Sequence, residues 1–181
     1  MGIQLVKVSH QFKEKILTYK TDLLAESVGY ISGAYMLDVE EVSEWITKSL
    51  ESEHSDEVRG VKATQYIAID ETETIVGVLQ LRHSLNDDYL LNYSGHIGYS
   101  IHPNYRRKGY ATEMLRQAIY EIRQTLKLPE ILLTCDTQNV ASERVIIANG
   151  GILEDERIKE DGTIRKRFWI KILSENNQSF S

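Results

Sequence analysis

The chain has 181 residues, with 21 Lys and Arg against 27 Asp and Glu, a formal net charge of −6, and 41% hydrophobic content. That balance fits one soluble globular domain burying about 70% of its unfolded surface, and the acidic excess argues against general binding of nucleic acid. A single cysteine excludes an intrachain disulfide and a cysteine-built zinc site, and it fits a reducing, cytoplasmic location; no stretch approaches a membrane span, and residues 1–7 lack the apolar run of a secretion signal.

Residues 4–8 alternate and are predicted as a short strand. Phe12, Ile16, Leu17, Leu23 and Leu24 fall near helical spacing and predict a helix over 11–25. A second helix is expected over 39–50, capped by Asp38, and a polar loop over 51–62. Strands at 65–69 and 75–81, joined by a turn at 70–74, read as a hairpin. Residues 83–93 are polar and loop-like, and 95–101 form the next strand. A helix then runs to about Leu126, followed by an apolar strand at 130–135 and a helix at 139–148 that stops at Asn149-Gly150. Segments 152–157 and 164–172 make a last hairpin around Asp161-Gly162. The domain is expected to span 1–173, leaving 174–181 as a polar tail. This order describes a mixed α/β domain, and the strand–helix–strand unit over 95–135 predicts a right-handed crossover with parallel strands.

Between that strand and its helix lies Arg106-Arg107-Lys108-Gly109-Tyr110-Ala111. Amides at a helix start lack intrahelical partners and carry partial positive charge, so a pyrophosphate fits there. Gly109 removes the Cβ that would hold an anion at a distance. The run predicts a nucleotide-cofactor site; a solvated surface turn is the plainer reading, and the flanking strand and helix weigh against it. A Rossmann-type site needs three spaced glycines, and this turn has one glycine and two arginines.

The same run matches Arg/Gln-x-x-Gly-x-Gly/Ala, and here the chain resembles the GNAT family of N-acetyltransferases. Gly98-Tyr99-Ser100-Ile101-His102-Pro103 resembles the family's preceding strand and proline turn, and Asn139-x-x-Ser142 followed by Gly150 resembles its next cofactor helix. Leu81-Arg82-His83 and Gly95-His96-Ile97-Gly98-Tyr99 further resemble a subgroup of bacterial acetyltransferases. The resemblance covers nearly the whole chain. It implies a mixed, mostly antiparallel sheet split between its fourth and fifth strands, with the pantetheine arm of acetyl-CoA in the gap. Backbone at Tyr99, Ser100 and Ile101 would pair with that arm like an added strand. Arg106, Arg107, Lys108, Gly109, Tyr110, Ala111 and Thr112 would wrap the pyrophosphate, Asn139 would meet the arm, and Ser142 would lie nearby. The implied activity is direct transfer of acetyl from acetyl-CoA to a primary amine of a small molecule or peptide, without metal. A homodimer is among the assemblies implied.

Such chemistry asks for a base near neutral pKa and a proton donor for the leaving sulfur. His96 is the first candidate base, because it stands where relatives often carry a glutamate, and His83 is the second. Each has a plainer reading, as a hydrogen-bonded strand histidine and as a loop residue. His102 is expected to be an exposed turn residue. Relatives often place an acidic tyrosine seven residues after the cofactor asparagine, and that position is Ile146. Cys135 offers a covalent route, although a small buried core residue is the simpler reading. Trp45 and Tyr35 fall where the family often walls its acceptor pocket, or else pack in the core. The alternative to an enzyme is a non-catalytic acyl-CoA-binding sensor of the same fold, and the acceptor itself is left open.

Overall fold

Central strands that are covered on both faces read as continuous buried runs. β2 (Ala63–Asp70) and β3 (Ile75–Arg82) are of this kind, buried over all but their last residues. In this computed structural model, which describes residues 2–26 and 29–172, they form the middle of a four-stranded antiparallel sheet. The sheet order is β1-β2-β3-β4, with β1 at Ile3–Lys7 and β4 at Ile97–Ile101. A second antiparallel sheet runs β5 (Glu130–Asp136), β7 (Ile164–Lys171), β6 (Ile152–Ile158). The polar tail expected over 174–181 lies outside the described residues.

Strand alternation divides the core in two. Ile67 and Ile69 of β2 join Ile16 and Tyr19 of α1 (Lys13–Glu26) and Trp45 and Ile46 of α2 (Val42–Ser52). Their neighbours Tyr66 and Ala68 join Met114 and Leu115 of α3 (Tyr110–Thr125) and Ile146 of α4 (Val140–Ala148). No helix among the described residues is long and apolar enough to cross a membrane.

The second helix starts later than expected. Residues 32–40 form turns, Met36 sits at φ 70°, and Val39 is exposed. The N-cap is Glu41, not Asp38; the Glu41 carboxylate accepts from the Glu44 amide at 3.0 Å. The loop expected at 83–93 contains the start of a π-helical turn, Leu90–Ser94.

The two sheets part between β4 and β5. The parallel pairing expected over 95–135 does not form; the bridge between them is an isolated antiparallel one, Gly95 to Leu133. The cause is local. Gly95 adopts φ 73° and ψ −167°, a conformation largely reserved for glycine. The His96 amide donates to the Leu132 carbonyl at 2.7 Å, and the Leu132 amide in turn donates to His96 Nδ1 at 2.9 Å. A side chain has taken the amide that would have extended the ladder.

Candidate active site

A cavity of about 1870 Å³ opens along this split. Tyr99, Ser100 and Ile101 of β4 line it, followed by Arg106, Arg107 and Gly109 of the basic turn. The first turn of α3 adds Tyr110, Ala111 and Thr112, and the start of α4 adds Asn139 and Ser142. The structure thus brings together every residue expected at the cofactor site except Lys108. That ammonium stands 5.4 Å from the centre of the Tyr105 ring and does not line the cavity.

The geometry of the turn suits an anion. Gly109 caps α3 at φ 82°, with open space where a Cβ would stand. The first bond into the helix runs from the Glu113 amide to Gly109 O at 3.1 Å. The Ala111 and Thr112 amides precede it and have no bonded partner among the described residues. Arg107, at φ 61°, has no ion-pair partner among them either. Arg106 is differently engaged: it pairs with Glu26 at 2.6 Å and donates through Nε to Ile101 O at 3.1 Å. An anion placed at this turn would find the α3 amides and Arg107 available and Arg106 already engaged.

Ladder parity decides which backbone groups face the split. The His96 carbonyl accepts from the Arg82 amide and the His102 amide donates to Val76 O, so the even-numbered residues of β4 bond to β3. Tyr99 and Ile101 turn theirs toward the gap, and the Ile101 carbonyl is already held by Arg106. Tyr99 is left as the member able to pair with an extended ligand.

The Tyr99 hydroxyl lies 2.9 Å from Ser142 Oγ. Burial pushes the phenol up to about 12, so it keeps its proton. Asn139 caps α4 by accepting from the Ser142 amide at 3.1 Å, which fixes both side chains at the gap. Ile146, on the same helix, is fully buried in the core. Cys135 reaches the cavity wall, but burial raises its thiol to about 11, which disfavours the thiolate a covalent route requires.

The three histidines considered in the sequence are all engaged away from this cavity. His96 is buried and absent from its lining, with Nδ1 bonded to the Leu132 amide. Burial, helped by the Arg82 charge, pulls its pKa to about 4. His83 Nε2 lies 2.8 Å from Thr64 Oγ1 and faces a separate cavity of about 340 Å³. Burial lowers its pKa too. His102 is not the exposed residue expected: it is buried, with Nε2 2.8 Å from Asp22 and Nδ1 accepting from the Asn104 amide. Trp45 is a core residue whose indole donates to the Tyr35 carbonyl at 2.9 Å, which holds Tyr35 in the wall of the large cavity.

Sequence reasoning missed the charged residues at the other end, Arg82 and Arg165, which also line the cavity. The signal for Arg82 was a cation ending an otherwise buried strand; nothing local marked Arg165.

A sheet split beside a helix start with unbonded amides is the arrangement expected of the acetyltransferase family, and comparison with known proteins shows that family. The profile described as an acetyltransferase (GNAT) domain matches residues 19–152, and the chain belongs to that family. An uncharacterized N-acetyltransferase, YnaD of Bacillus subtilis (strain 168), is 32% identical over 91 residues, 50% of this chain; the match spans 46% of that relative's length. The ribosomal-protein-S5-alanine acetyltransferase of Vibrio fischeri superposes with a TM-score of 0.71 at 17% identity, covering 99% of this chain and 97% of that one. A spermidine N-acetyltransferase SpeG chimera from Vibrio cholerae and hSSAT gives 0.67 at 16% identity, covering 95% and 96%. These are likenesses of fold.

Proposed function

We propose that the chain is an N-acetyltransferase that moves the acetyl group of acetyl-CoA to a primary amine by direct transfer in a ternary complex. The observation that carries this reading is one continuous cavity joining the α3 anion cradle to the split between β4 and β5. Acetyl-CoA supplies an activated acetyl thioester. The α3 amides and Arg107 bind its phosphates, and Tyr99 and Asn139 orient the arm that reaches into the split. Membership of the GNAT family supports this reading. The structural neighbours, by name, act on spermidine and on a ribosomal-protein alanine, both amine acceptors.

In the transfer a new N–C bond forms and the C–S bond breaks. The amine gives up a proton and the sulfur gains one. Tyr99, held protonated and bonded to Ser142, is the donor toward the leaving sulfur, in place of the tyrosine that Ile146 replaces. Neither His96 nor His83 faces the cavity, so the base is assigned to neither, and the amine proton leaves through water. The buried Ile146 also favours a second reading, a non-catalytic acyl-CoA-binding module.

Thiol release from acetyl-CoA across an amine panel separates the two. Turnover is expected with at least one amine, and Arg107→Ala is expected to raise KM for acetyl-CoA about tenfold or more. Tight acetyl-CoA binding with no thiol release from any amine supports the sensor and sinks the enzyme. Failure to bind acetyl-CoA sinks both.

A further inference from the structure

Four arginines that line the cavity have no carboxylate in ion-pair contact among the described residues; Arg107 and Arg144 are exposed, whereas Arg82 and Arg165 are partly buried. Arg82, at the end of β3, is partly buried, and its one hydrogen bond there runs from Nη1 to Gly95 O at 3.0 Å. Burial draws its pKa down to about 10, the mark of a cation losing water without gaining an anion. Arg165, on β7, donates through Nε to Tyr93 O at 3.1 Å and through Nη2 to Thr134 Oγ1 at 2.8 Å. The pair therefore grips the carbonyls of Tyr93 and Gly95 on either side of Ser94, which also lines the cavity.

Other sheltered arginines of this chain have acids. Arg59 forks onto Glu40 at 2.8 and 2.7 Å, and Arg167 meets both Glu154 and Asp155. Arg82 spends one of its five N–H donors, and Arg165 two. Asp38 and Asp87 line the cavity as well, yet neither is in ion-pair contact with Arg82 or Arg165; the Asp87 carboxylate accepts from the Leu90 amide. A partly desolvated guanidinium with spare donors is matched by a carboxylate, whose two oxygens fit its planar fork.

Arg82 is also remote from the phosphate cradle. Its Nη2 lies 3.4 Å from where a Gly98 Cβ would stand, beside the backbone of Gly33. That is the opposite face of β4 from the Tyr99 side chain. The basic turn follows the other end of the strand, on the order of 10 to 15 Å along.

We infer that Arg82, backed by Arg165, binds a carboxylate of the acceptor, so that the amine acetylated belongs to an amino-acid-like molecule with its carboxylate near its amino group. The inference rests on the N-acetyltransferase reading. It also serves the chemistry. A free carboxylate beside an ammonium holds the proton on; neutralising that carboxylate with a guanidinium releases the proton more readily and yields the nucleophile. No histidine is needed for that. A polyamine leaves both guanidinium groups unpaired and adds like charge beside them.

The test uses free L-amino acids, their α-carboxamides, short peptides and spermidine, with thiol release as readout. A second readout is calorimetric binding of the same acids and amides to the CoA-loaded chain. The expected result is at least tenfold higher kcat/KM for some amino acid over its carboxamide and over spermidine. Arg82→Gln should collapse that ratio chiefly through KM, with Arg82→Lys restoring part of it and Arg165→Gln weakening it less. Thermal melting checks that each variant is folded. Peptides with a side-chain carboxylate that outperform the free acids place the same chemistry on a peptide. A carboxamide or spermidine preferred over every carboxylate, or a ratio unmoved by Arg82→Gln, overturns the inference. If no amine releases thiol while acids still bind better than amides in an Arg82-dependent way, the transferase reading fails and the carboxylate site stands; equal binding of acids and amides removes the site.

Discussion

Gly95→Ala tests whether one residue holds the split sheet in register. At φ 73° and ψ −167° an alanine is strained by about 1–3 kcal/mol. Its Cβ would stand 2.4 Å from Leu132 O and 3.0 Å from Leu132 C. Those are backbone atoms of β5 and cannot rotate aside, so the overlap adds about 1–3 kcal/mol. The total of about 2–6 kcal/mol corresponds to a fall in Tm of roughly 4–24 °C for a chain this long. Gly109→Ala is the matched control, with φ 82° and ψ 2° but nothing within 4 Å of the new Cβ. It should cost only the conformational part, about 1 kcal/mol. Thermal melts by circular dichroism and urea midpoints, run side by side, give the comparison. If Gly95→Ala melts no lower than Gly109→Ala, the contact with Leu132 is not what fixes the split.

Tyr99→Phe removes the proposed proton donor while keeping the ring; kcat is expected to fall about a hundredfold with KM for acetyl-CoA unchanged, and a kcat within twofold of the parent refutes the role. Because the phenol titrates at about 12, no loss of kcat attributable to Tyr99 is expected below about pH 10. His96→Asn keeps an acceptor for the Leu132 amide and removes a titrating group. The folded pKa of about 4 lies below the unfolded value near 6.5, so the unfolded state binds more protons between them. Stability from this group is whole above pH 6.5 and drains as pH falls toward 4, by on the order of 3 kcal/mol. Urea midpoints from pH 7.5 to 4 should fall less steeply for His96→Asn than for the parent; parallel slopes contradict the buried imidazole.

The end of the cavity proposed for the cofactor was legible in the sequence because its signal is local. A basic turn, a glycine and a helix start are consecutive residues, and their chemistry is carried largely by backbone whose direction follows from the element. Asn139 was marked by the family motif alone; that it caps α4 is seen only in the structure. The placement of the candidate base histidines was not legible, because a strand position says which residue is present but not which way its side chain points. The glycine hinge at Gly95 redirects the backbone ahead of His96, and the imidazole is used as an acceptor for Leu132, a residue 36 positions away. The start of α2 was displaced for a related reason. Asp38 is a good cap by type, yet Met36 at φ 70° keeps the chain turning until Glu41. Arg165 illustrates the remaining limit, since the fold alone brings it, from a strand of the other sheet, into the same cavity wall as Arg82.

Net charge and local charge point opposite ways in this protein, and physical scale decides between them. The formal charge of −6 suits a cationic acceptor if it acts as a general field. At physiological ionic strength, however, exposed carboxylates are screened beyond about 8 Å, so much of that excess does not reach the reacting centre. A guanidinium in hydrogen-bond contact acts at about 3 Å in a medium less polar than water, where one charge outweighs several distant ones. Arg82 is such a charge, whereas Arg59, also in the cavity wall, is already neutralised by Glu40. On the inference above, the acidic surface acts on the approach of ligands, while the recognised group would be set by the unpaired cation at the end of β3. Salt dependence separates the two effects: a preference made by Arg82 should persist at 0.5 M salt, whereas one made by the surface field should fade.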